Sequence, residues 1–146
     1  ILAGCNSPAN RVLSSRQEYA EQMQAAVSSP FGAYPETVVY TLGKMISTNN
    51  SNMPAGDTYE DNAYTRYIKE VINVQNRDVF EEADKQYDTN VSMAIAMNEL
   101  PDIMLVSNYE DLETLIENDM IEDLTVAYQN CISDRIRKCM PATAKT

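Results

Sequence analysis

The sequence contains no histidine and no tryptophan, and it has only three cysteines. Histidine is the commonest general base and the commonest metal ligand in proteins, so its absence excludes a Ser-His-Asp triad and a histidine-based zinc site. Cys131 and Cys139 lack the C-x-x-C spacing of metal sites, and a disulfide between them would require a bent segment. We therefore predict no metal and no cofactor, and we do not expect this cysteine pair to form a disulfide.

Positive charge is also scarce, because 11 Lys and Arg face 22 Asp and Glu, for a net charge of -11. A chain this acidic repels phosphate backbones, so we predict no nucleic-acid partner. Apolar runs are short as well, and none approaches the roughly 20 residues that a membrane-spanning helix needs.

The first five residues contain a recognisable pattern. The string Leu2-Ala3-Gly4-Cys5 resembles the end of a bacterial lipoprotein signal, in which the cysteine becomes the lipid-bearing first residue of the mature protein. An ordinary turn of small residues is the alternative. If the signal is real, residues 1–5 are its remnant, Cys5 is the lipidation site and the protein lies on the extracellular face of the cell membrane. The polar stretch over residues 6–35 then predicts a flexible tether without regular structure.

Ordered structure is predicted to begin at Glu36. Residues 37–41 are β-branched and aromatic and predict a strand that Gly43 ends, followed by a loop over residues 47–56. A helix is predicted from Thr58, which forms a capping box with Asp61. Apolar residues then recur at helical spacing and predict a buried face that includes Tyr64, Tyr67, Ile68 and Val71.

The second half of the chain alternates in the same way. A short strand is predicted within residues 73–80. A helix is predicted over 87–98, with Tyr87, Val91, Ala94 and Ile95 on one apolar face. The apolar run over 101–106 predicts a parallel strand buried on both faces. A helix over 109–117 and a last helical piece reaching about Lys138 follow. This alternation predicts an α/β fold with a mostly parallel sheet. The predicted common core comprises Val38, Tyr40, Ile68, Ile95, Ile103, Leu105 and Leu112.

Four segments together resemble a known family. They are Leu2–Cys5, Val38–Tyr40, Asn52–Asn62, and Glu99–Met104 with the downstream Met120–Thr125. The chain is similar to the N-terminal part of the extracellular solute-binding lipoproteins (family 1) of carbohydrate ABC importers, close to the LplA-like proteins of Firmicutes. The resemblance implies a partial N-terminal lobe of a two-lobed, three-layer periplasmic-binding-protein-like fold. It also implies a carbohydrate ligand and a membrane permease as partners.

The resemblance sets the expected domain boundaries. Residues 36–138 correspond to an incomplete N-terminal lobe, and residues 139–146 depart from the family pattern. The possible codons of that tail, read in a neighbouring frame, permit family-like sequence, so we expect a frameshifted or misassembled terminus, with a natural flexible terminus as the alternative. An incomplete lobe is expected to bind sugar weakly and to self-associate through open sheet edges.

Candidate ligand residues follow from the position of the strands. Ligands of open α/β sheets lie beyond the carboxyl ends of the strands, which here points to residues 41–44, 52–62 and 107–109. Sugar sites combine an aromatic ring with hydrogen-bonding side chains. The candidates are Tyr59, Asn62, Ser107, Asn108 and Tyr109.

The candidates also have structural interpretations. Ser107 and Glu110 form a capping-box pattern, and Asp57 and Asp61 are typical helix-start charges. We predict a binding protein rather than an enzyme. The alternatives are a surface lipoprotein that serves as a scaffold or adhesin, and a glycosidase that uses two carboxylates roughly 5 to 9.5 Å apart.

Overall fold

The computed structural model describes residues 8–47 and 53–140. The chain divides into two compact units. One contains the described residues up to Glu36 together with those from Leu124 onward, and the other spans Thr37–Asp123. Within the described ranges, every helix is too short or too polar to cross a membrane.

The central unit is built on a small parallel sheet. Its strands are β1 (Val38–Met45), β2 (Val74–Glu82) and β3 (Ile103–Met104), arranged in the order β2-β1-β3. β1 pairs in parallel with both neighbours. The prediction of an α/β fold is confirmed, and the open, all-parallel sheet is consistent with a partial three-layer lobe.

Helices connect and follow these strands. The first helix, α1 (Pro8–Val27), precedes the sheet, α2 (Ala63–Ile72) joins β1 to β2, and α3 (Asp84–Met97) joins β2 to β3. Parallel crossovers are right-handed, and the two connections run in opposite directions across the sheet. This rule places α2 and α3 on opposite faces. The remaining helices are α4 (Tyr109–Glu117), α5 (Thr125–Cys131) and α6 (Asp134–Cys139).

The apolar core lies between the sheet and α3. Tyr87, Val91 and Ala94 occupy one face of α3 and are buried, as the periodicity predicted. The ring of Phe80 packs against Tyr87 with centroids 5.5 Å apart. The Tyr87 hydroxyl donates to the carbonyl of Gly43 at 3.0 Å and accepts from the N–H of Leu105 at 2.8 Å. Tyr87 of α3 thus links β1 to the residue that follows β3.

Gly43 lies inside β1, so the prediction that it ends the strand is wrong. A Cβ at this position would come within 2.4 Å of the Phe80 ring. The pairing of β1 with β2 also shifts register between Leu42 and Gly43. Glycine is therefore required here by the close approach of an aromatic ring, and the strand continues past it to Met45.

The prediction that residues 101–106 form a strand buried on both faces is wrong. Only Ile103 and Met104 are in the strand, β3 lies at the end of the sheet, and Ile103 and Leu105 are 52% and 55% exposed. The predicted common core is wrong in the same respect, because Val38 and Ile68 are also exposed. An apolar sequence indicates that a strand is suited to burial. The position of that strand in the sheet depends on which strands pair with it.

The predicted buried face of α2 is wrong as well. Tyr64 is 82% exposed, and none of the ten residues of α2 is buried. The helix begins at Ala63 rather than near Thr58. Its N-cap is Asn62, whose side chain accepts from the N–H groups of Tyr64 and Thr65, while the Thr65 hydroxyl accepts from the N–H of Asn62. The capping box therefore starts four residues later than predicted.

The prediction of a stretch without regular structure over residues 6–35 is wrong for Pro8–Val27, which form α1. Polarity favoured disorder, but the segment has no glycine, and proline occurs only at the first helical position, where it is tolerated. Alanine, glutamine, glutamate and arginine within it are good helix formers.

In the same unit as α1, Ala26 is buried. Gly32 approaches the backbone of Ala26 so closely that a Cβ on Gly32 would lie 2.5 Å from the Ala26 Cα. Cys131 and Cys139 are free thiols.

Candidate functional site

The candidate residues fall into two groups at one end of the sheet. Tyr59 and Asn62 lie in the segment that follows β1, and Ser107, Asn108 and Tyr109 follow β3. Because β1 and β3 are parallel neighbours, their carboxyl ends meet at the same edge. The connections from β1 and from β2 leave in opposite directions, which is the arrangement that opens a crevice for ligands in α/β sheets.

In the first group, both side chains form hydrogen bonds with backbone groups of the chain. The Tyr59 hydroxyl donates to the carbonyl of Ser47 at 3.0 Å, and the Tyr59 carbonyl accepts from the Lys44 ammonium at 2.6 Å. The Asn62 amide donates to the carbonyls of Thr58 and Tyr59 while its oxygen caps α2. Since the polar atoms of Asn62 are occupied by backbone groups, its role is structural. Asn52 lies outside the described residues.

The charges flanking Tyr59 also form a structural clip. Arg66 on α2 lies 2.9 Å from Asp57 and 2.9 Å from Asp61. These carboxylates raise the pKa of Arg66, first through the hydrogen bond that its guanidinium donates to Asp57. α2 has no acidic residue in its first turn, so Asp57 and Asp61 are partners of Arg66 and not the helix-start charges that the sequence predicted.

The second group contains the N-cap of α4, which is Asn108 and not Ser107. The Asn108 side chain accepts from the N–H of Asp111 at 2.8 Å. The predicted capping box of Ser107 with Glu110 is therefore wrong by one residue. Ser107 instead donates its hydroxyl proton to the Asp88 carboxylate on α3 at 2.6 Å. A charged acceptor and a hydroxyl thus lie together beside the turn.

Tyr109 differs from the other candidates because its ring lies in solvent, 83% exposed, at the first position of α4. Near the Ser107–Asp88 hydrogen bond, α3 borders a shallow open depression of 430 Å³. Asp88, Thr89 and Ser92 line it with polar groups, and Met93 and Ala96 with apolar ones. This volume falls within the range of small-molecule sites.

Asp88 was missed at the sequence level. It follows Tyr87, which the helical period placed on the buried face, so Asp88 looked like one more solvated charge of an acidic chain. The only signal was its position on the neighbouring, polar side of the helix, and such positions are common. Its link to Ser107 depends on the tertiary fold.

A second cluster that the sequence did not reveal lies between β1, β2 and the Tyr59 segment. Lys44 pairs with Asp78 at 2.8 Å, and the Asp78 side chain is only 2% exposed. Asn76 donates its amide to Asp78 at 2.6 Å, and the Asp78 N–H donates to the Glu60 carboxylate at 2.6 Å. Burial, followed by the neighbouring Asp78 carboxylate, raises the pKa of Glu81.

β3 is joined to β1 by another carboxylate. Asp102 accepts from the N–H and from the hydroxyl of Thr41, each at 2.7 Å, and its own N–H donates to the Thr41 hydroxyl at 2.8 Å. Hydrogen bonds from Thr41, the backbone one first, hold the pKa of Asp102 below its ordinary value. Thr41, in a predicted ligand region, therefore has a structural role.

No group of three or more Cys, Asp and Glu side chains is arranged to hold a metal ion within residues 8–47 and 53–140. Cys5, the predicted lipidation site, lies outside the described residues. Comparison of the chain with protein-family models, with curated proteins and with solved structures gave no match. The case for a function therefore rests on the residues and on their arrangement.

Proposed function

We propose that this protein is the carbohydrate-binding component of an ABC importer, held on the extracellular face of the membrane by a lipid at Cys5. The resemblance of four sequence segments to that family supports the proposal. The α/β sheet is also compatible with a lobe of such a protein. The ligand would be a sugar or oligosaccharide, and a membrane permease would be the partner.

The observation that carries the proposal is the hydrogen bond from Ser107 to Asp88, which lines an open depression along α3, with the exposed ring of Tyr109 at the start of α4. An exposed aromatic ring can stack on the apolar face of a sugar, and hydroxyl and carboxylate groups can bind sugar hydroxyls. Tyr59 and Asn62 have the right chemistry, but their hydrogen bonds are used within the chain. We therefore assign the site to the Ser107–Tyr109 turn with Asp88.

The affinity should be low. The Ser107–Tyr109 turn and α3 provide one wall, and a site that leaves much of its ligand in solvent gains little free energy from contact. We expect a Kd on the order of 1 mM for an oligosaccharide.

The test is a titration of the full chain with neutral oligosaccharides of two to six sugar units, followed by ligand-observed NMR. At least one should bind saturably. Tyr109→Ala should weaken that binding by about tenfold, because an aromatic anchor contributes on the order of 1–2 kcal/mol. Tyr64→Ala is a matched control, since Tyr64 is equally exposed in the first turn of another helix. It should leave binding unchanged.

The titration also separates the proposal from its rivals. Release of new reducing ends during the incubation would favour a glycosidase. Absence of saturable binding for every sugar would favour a scaffold or adhesin. Equal losses in the Tyr109→Ala and Tyr64→Ala variants would show that the Ser107–Tyr109 turn is not the site.

A further inference from the structure

A bulge in β2 places two carboxyl groups on the same face of the sheet. The pairing of β2 with β1 skips one residue, Val79. Side chains alternate between the two faces of a strand, so Asp78 and Glu81, three positions apart, would lie on opposite faces of a regular strand. The extra residue between them brings both to the face of Lys44, which is opposite Glu81 in the sheet. β2 therefore presents Asp78 and Glu81 together, next to a single ammonium group.

The Asp78 carboxylate on this face is buried, and one of its oxygens lacks a hydrogen bond. Oδ1 accepts from the Asn76 amide at 2.6 Å, and the Lys44 ammonium lies 2.8 Å from Oδ2. Within residues 8–47 and 53–140, however, no N–H or O–H group is aligned to donate a hydrogen bond to Oδ2. A buried acceptor without a donor is costly, so a donor for this oxygen has to come from a neighbouring side chain.

Glu81 is the side chain that can supply this donor. Its carboxyl group is in hydrogen-bond contact with the Asp78 carboxylate. Two carboxyl groups form a hydrogen bond only when one of them carries a proton. Asp78 is the member that stays ionised, because the Lys44 ammonium and the Asn76 amide stabilise its charged form. The proton therefore resides on Glu81.

Three charged side chains from three elements face Glu81, namely Lys44 in β1, Asp78 in β2 and Glu60 in the segment before α2. The cations of α2 are engaged elsewhere, since Arg66 pairs with two aspartates and Lys69 donates to Gln75. With Glu81 neutral, one ammonium faces two carboxylates, and with Glu81 ionised the same ammonium faces three. In a partly buried site, salt screens the added repulsion only weakly.

The Tyr59–Glu60 segment is attached to this cluster by two hydrogen bonds. The Lys44 ammonium donates to the Tyr59 carbonyl at 2.6 Å, and the Asp78 N–H donates to the Glu60 carboxylate at 2.6 Å. A negative charge on Glu81 acts against both bonds, because it attracts the ammonium and repels the Glu60 carboxylate. The segment leads into Asn62, the N-cap of α2, so its attachment also fixes the connection from β1 to α2.

We propose that this cluster is a proton-operated latch, in which Glu81 shares a proton with Asp78 and loss of that proton to water releases the Tyr59–Glu60 segment from the sheet. The pKa of Glu81 is raised, by burial first and by Asp78 next, so the proton stays on above the pH at which an ordinary glutamate loses it. The latch is closed at low pH and opens as the pH rises through this raised pKa. The order of the segment after β1 thereby depends on pH.

Amide hydrogen exchange of the full chain, followed residue by residue between about pH 4 and pH 8, tests the latch. The Asp78 amide is the reporter, because its N–H donates to Glu60. Its protection factor, relative to that of Val91 in the buried core, should fall at least about tenfold as the pH rises. This ratio removes the effect of unfolding of the whole unit. A ratio that stays constant over the pH range would overturn the proposal.

Two variants locate the cause of the change. Glu81→Gln keeps a neutral group that can donate to the Asp78 carboxylate, and it should hold the ratio at its low-pH value throughout. Glu82→Gln is the matched control, because it removes the next carboxylate along β2, on the opposite face, and it should follow the unaltered protein. A fall in Glu81→Gln as large as that in the unaltered protein would overturn the latch, and so would the absence of a fall in Glu82→Gln.

The titration of Glu81 provides a test that does not depend on the folding of any variant. The side-chain carboxyl carbon of Glu81, followed by NMR in the unaltered protein, should titrate with a pKa above that of an ordinary glutamate. A midpoint at or below the ordinary value would contradict the shared proton. Neither measurement involves a sugar, so the latch and the proposed binding function can fail independently.

Discussion

The two faces of the sheet are stabilised by different means. On the α3 face, apolar side chains pack around Tyr87, which is fully buried. On the α2 face the sheet presents Lys44, Asp78 and Glu81, and α2 leaves its apolar stripe in solvent. Instead of a core, α2 is held by the Asn62 cap and by the clip of Arg66 with two aspartates. The apolar face of a helix is therefore buried only on the side where the sheet presents apolar residues in this unit.

The largest expected effect is on the α3 face. Tyr87→Ala should destabilise the fold by about 3–5 kcal/mol, because it removes a fully buried ring and two hydrogen bonds. Chemical denaturation measures the change. Tyr64→Ala, on the α2 face, should change stability by less than about 0.5 kcal/mol. Similar losses in both variants would mean that the two faces do not differ.

The ion pair on the α2 face should come second. Asp78→Asn leaves the partly buried Lys44 ammonium without its carboxylate and should cost about 2–4 kcal/mol in the same denaturation assay. The double variant Lys44→Met/Asp78→Leu should recover much of that loss, since apolar pairs replace buried ion pairs well. If the single variant were as stable as the parent, the polar cluster would have no role in holding this face.

The helix cap should have a smaller effect. Asn62→Ala removes the acceptor for two N–H groups of α2 and should cost about 1 kcal/mol, read as a lower denaturation midpoint. Asn62→Asp keeps a capping oxygen and serves as the matched control, with a loss well below that of alanine. Equal losses in the two variants would argue that the cap is not what fixes the start of α2.

The smallest effect depends on pH. The pKa of Glu81 is higher in the folded chain, so the unfolded chain loses this proton first as pH rises. This difference in pKa destabilises the fold above about pH 4, near the ordinary pKa of glutamate. Glu81→Gln cannot ionise and should raise the Tm at pH 7, by less than any of the effects above. Below about pH 4 the gain should vanish, and a gain that persisted there would exclude this cause.

The sequence predicts the secondary structure and one buried helix face, but not which elements pack against each other. The helical period identified the buried face of α3, and strand-helix alternation identified the parallel sheet. The period was equally clear in α2, yet Tyr64 and Tyr67 are exposed, because a period shows that a face is apolar and not what covers it. Order in the sheet, which made β3 an edge, is set by tertiary pairing.

The candidate site was predictable in part for the same reason. The turn after β3 could be located from the strand that precedes it, and Tyr109 lies there with its ring exposed. Asp88 and Lys44 could not be assigned, because their partners Ser107 and Asp78 are distant in sequence and meet only in the fold. Asn62 was chosen for its chemistry, but that chemistry serves the backbone of its own helix.

Native-state hydrogen exchange on the two crossover helices tests the contrast between the faces most directly. Amides of α3 around Val91 should exchange only through opening of the whole unit, with protection close to its full free energy of unfolding. Amides of α2 around Ile68 should exchange through local opening, several kcal/mol more easily. Protection of α2 equal to that of α3 would contradict the account, because it would show that the exposed stripe on α2 is covered as firmly as the core.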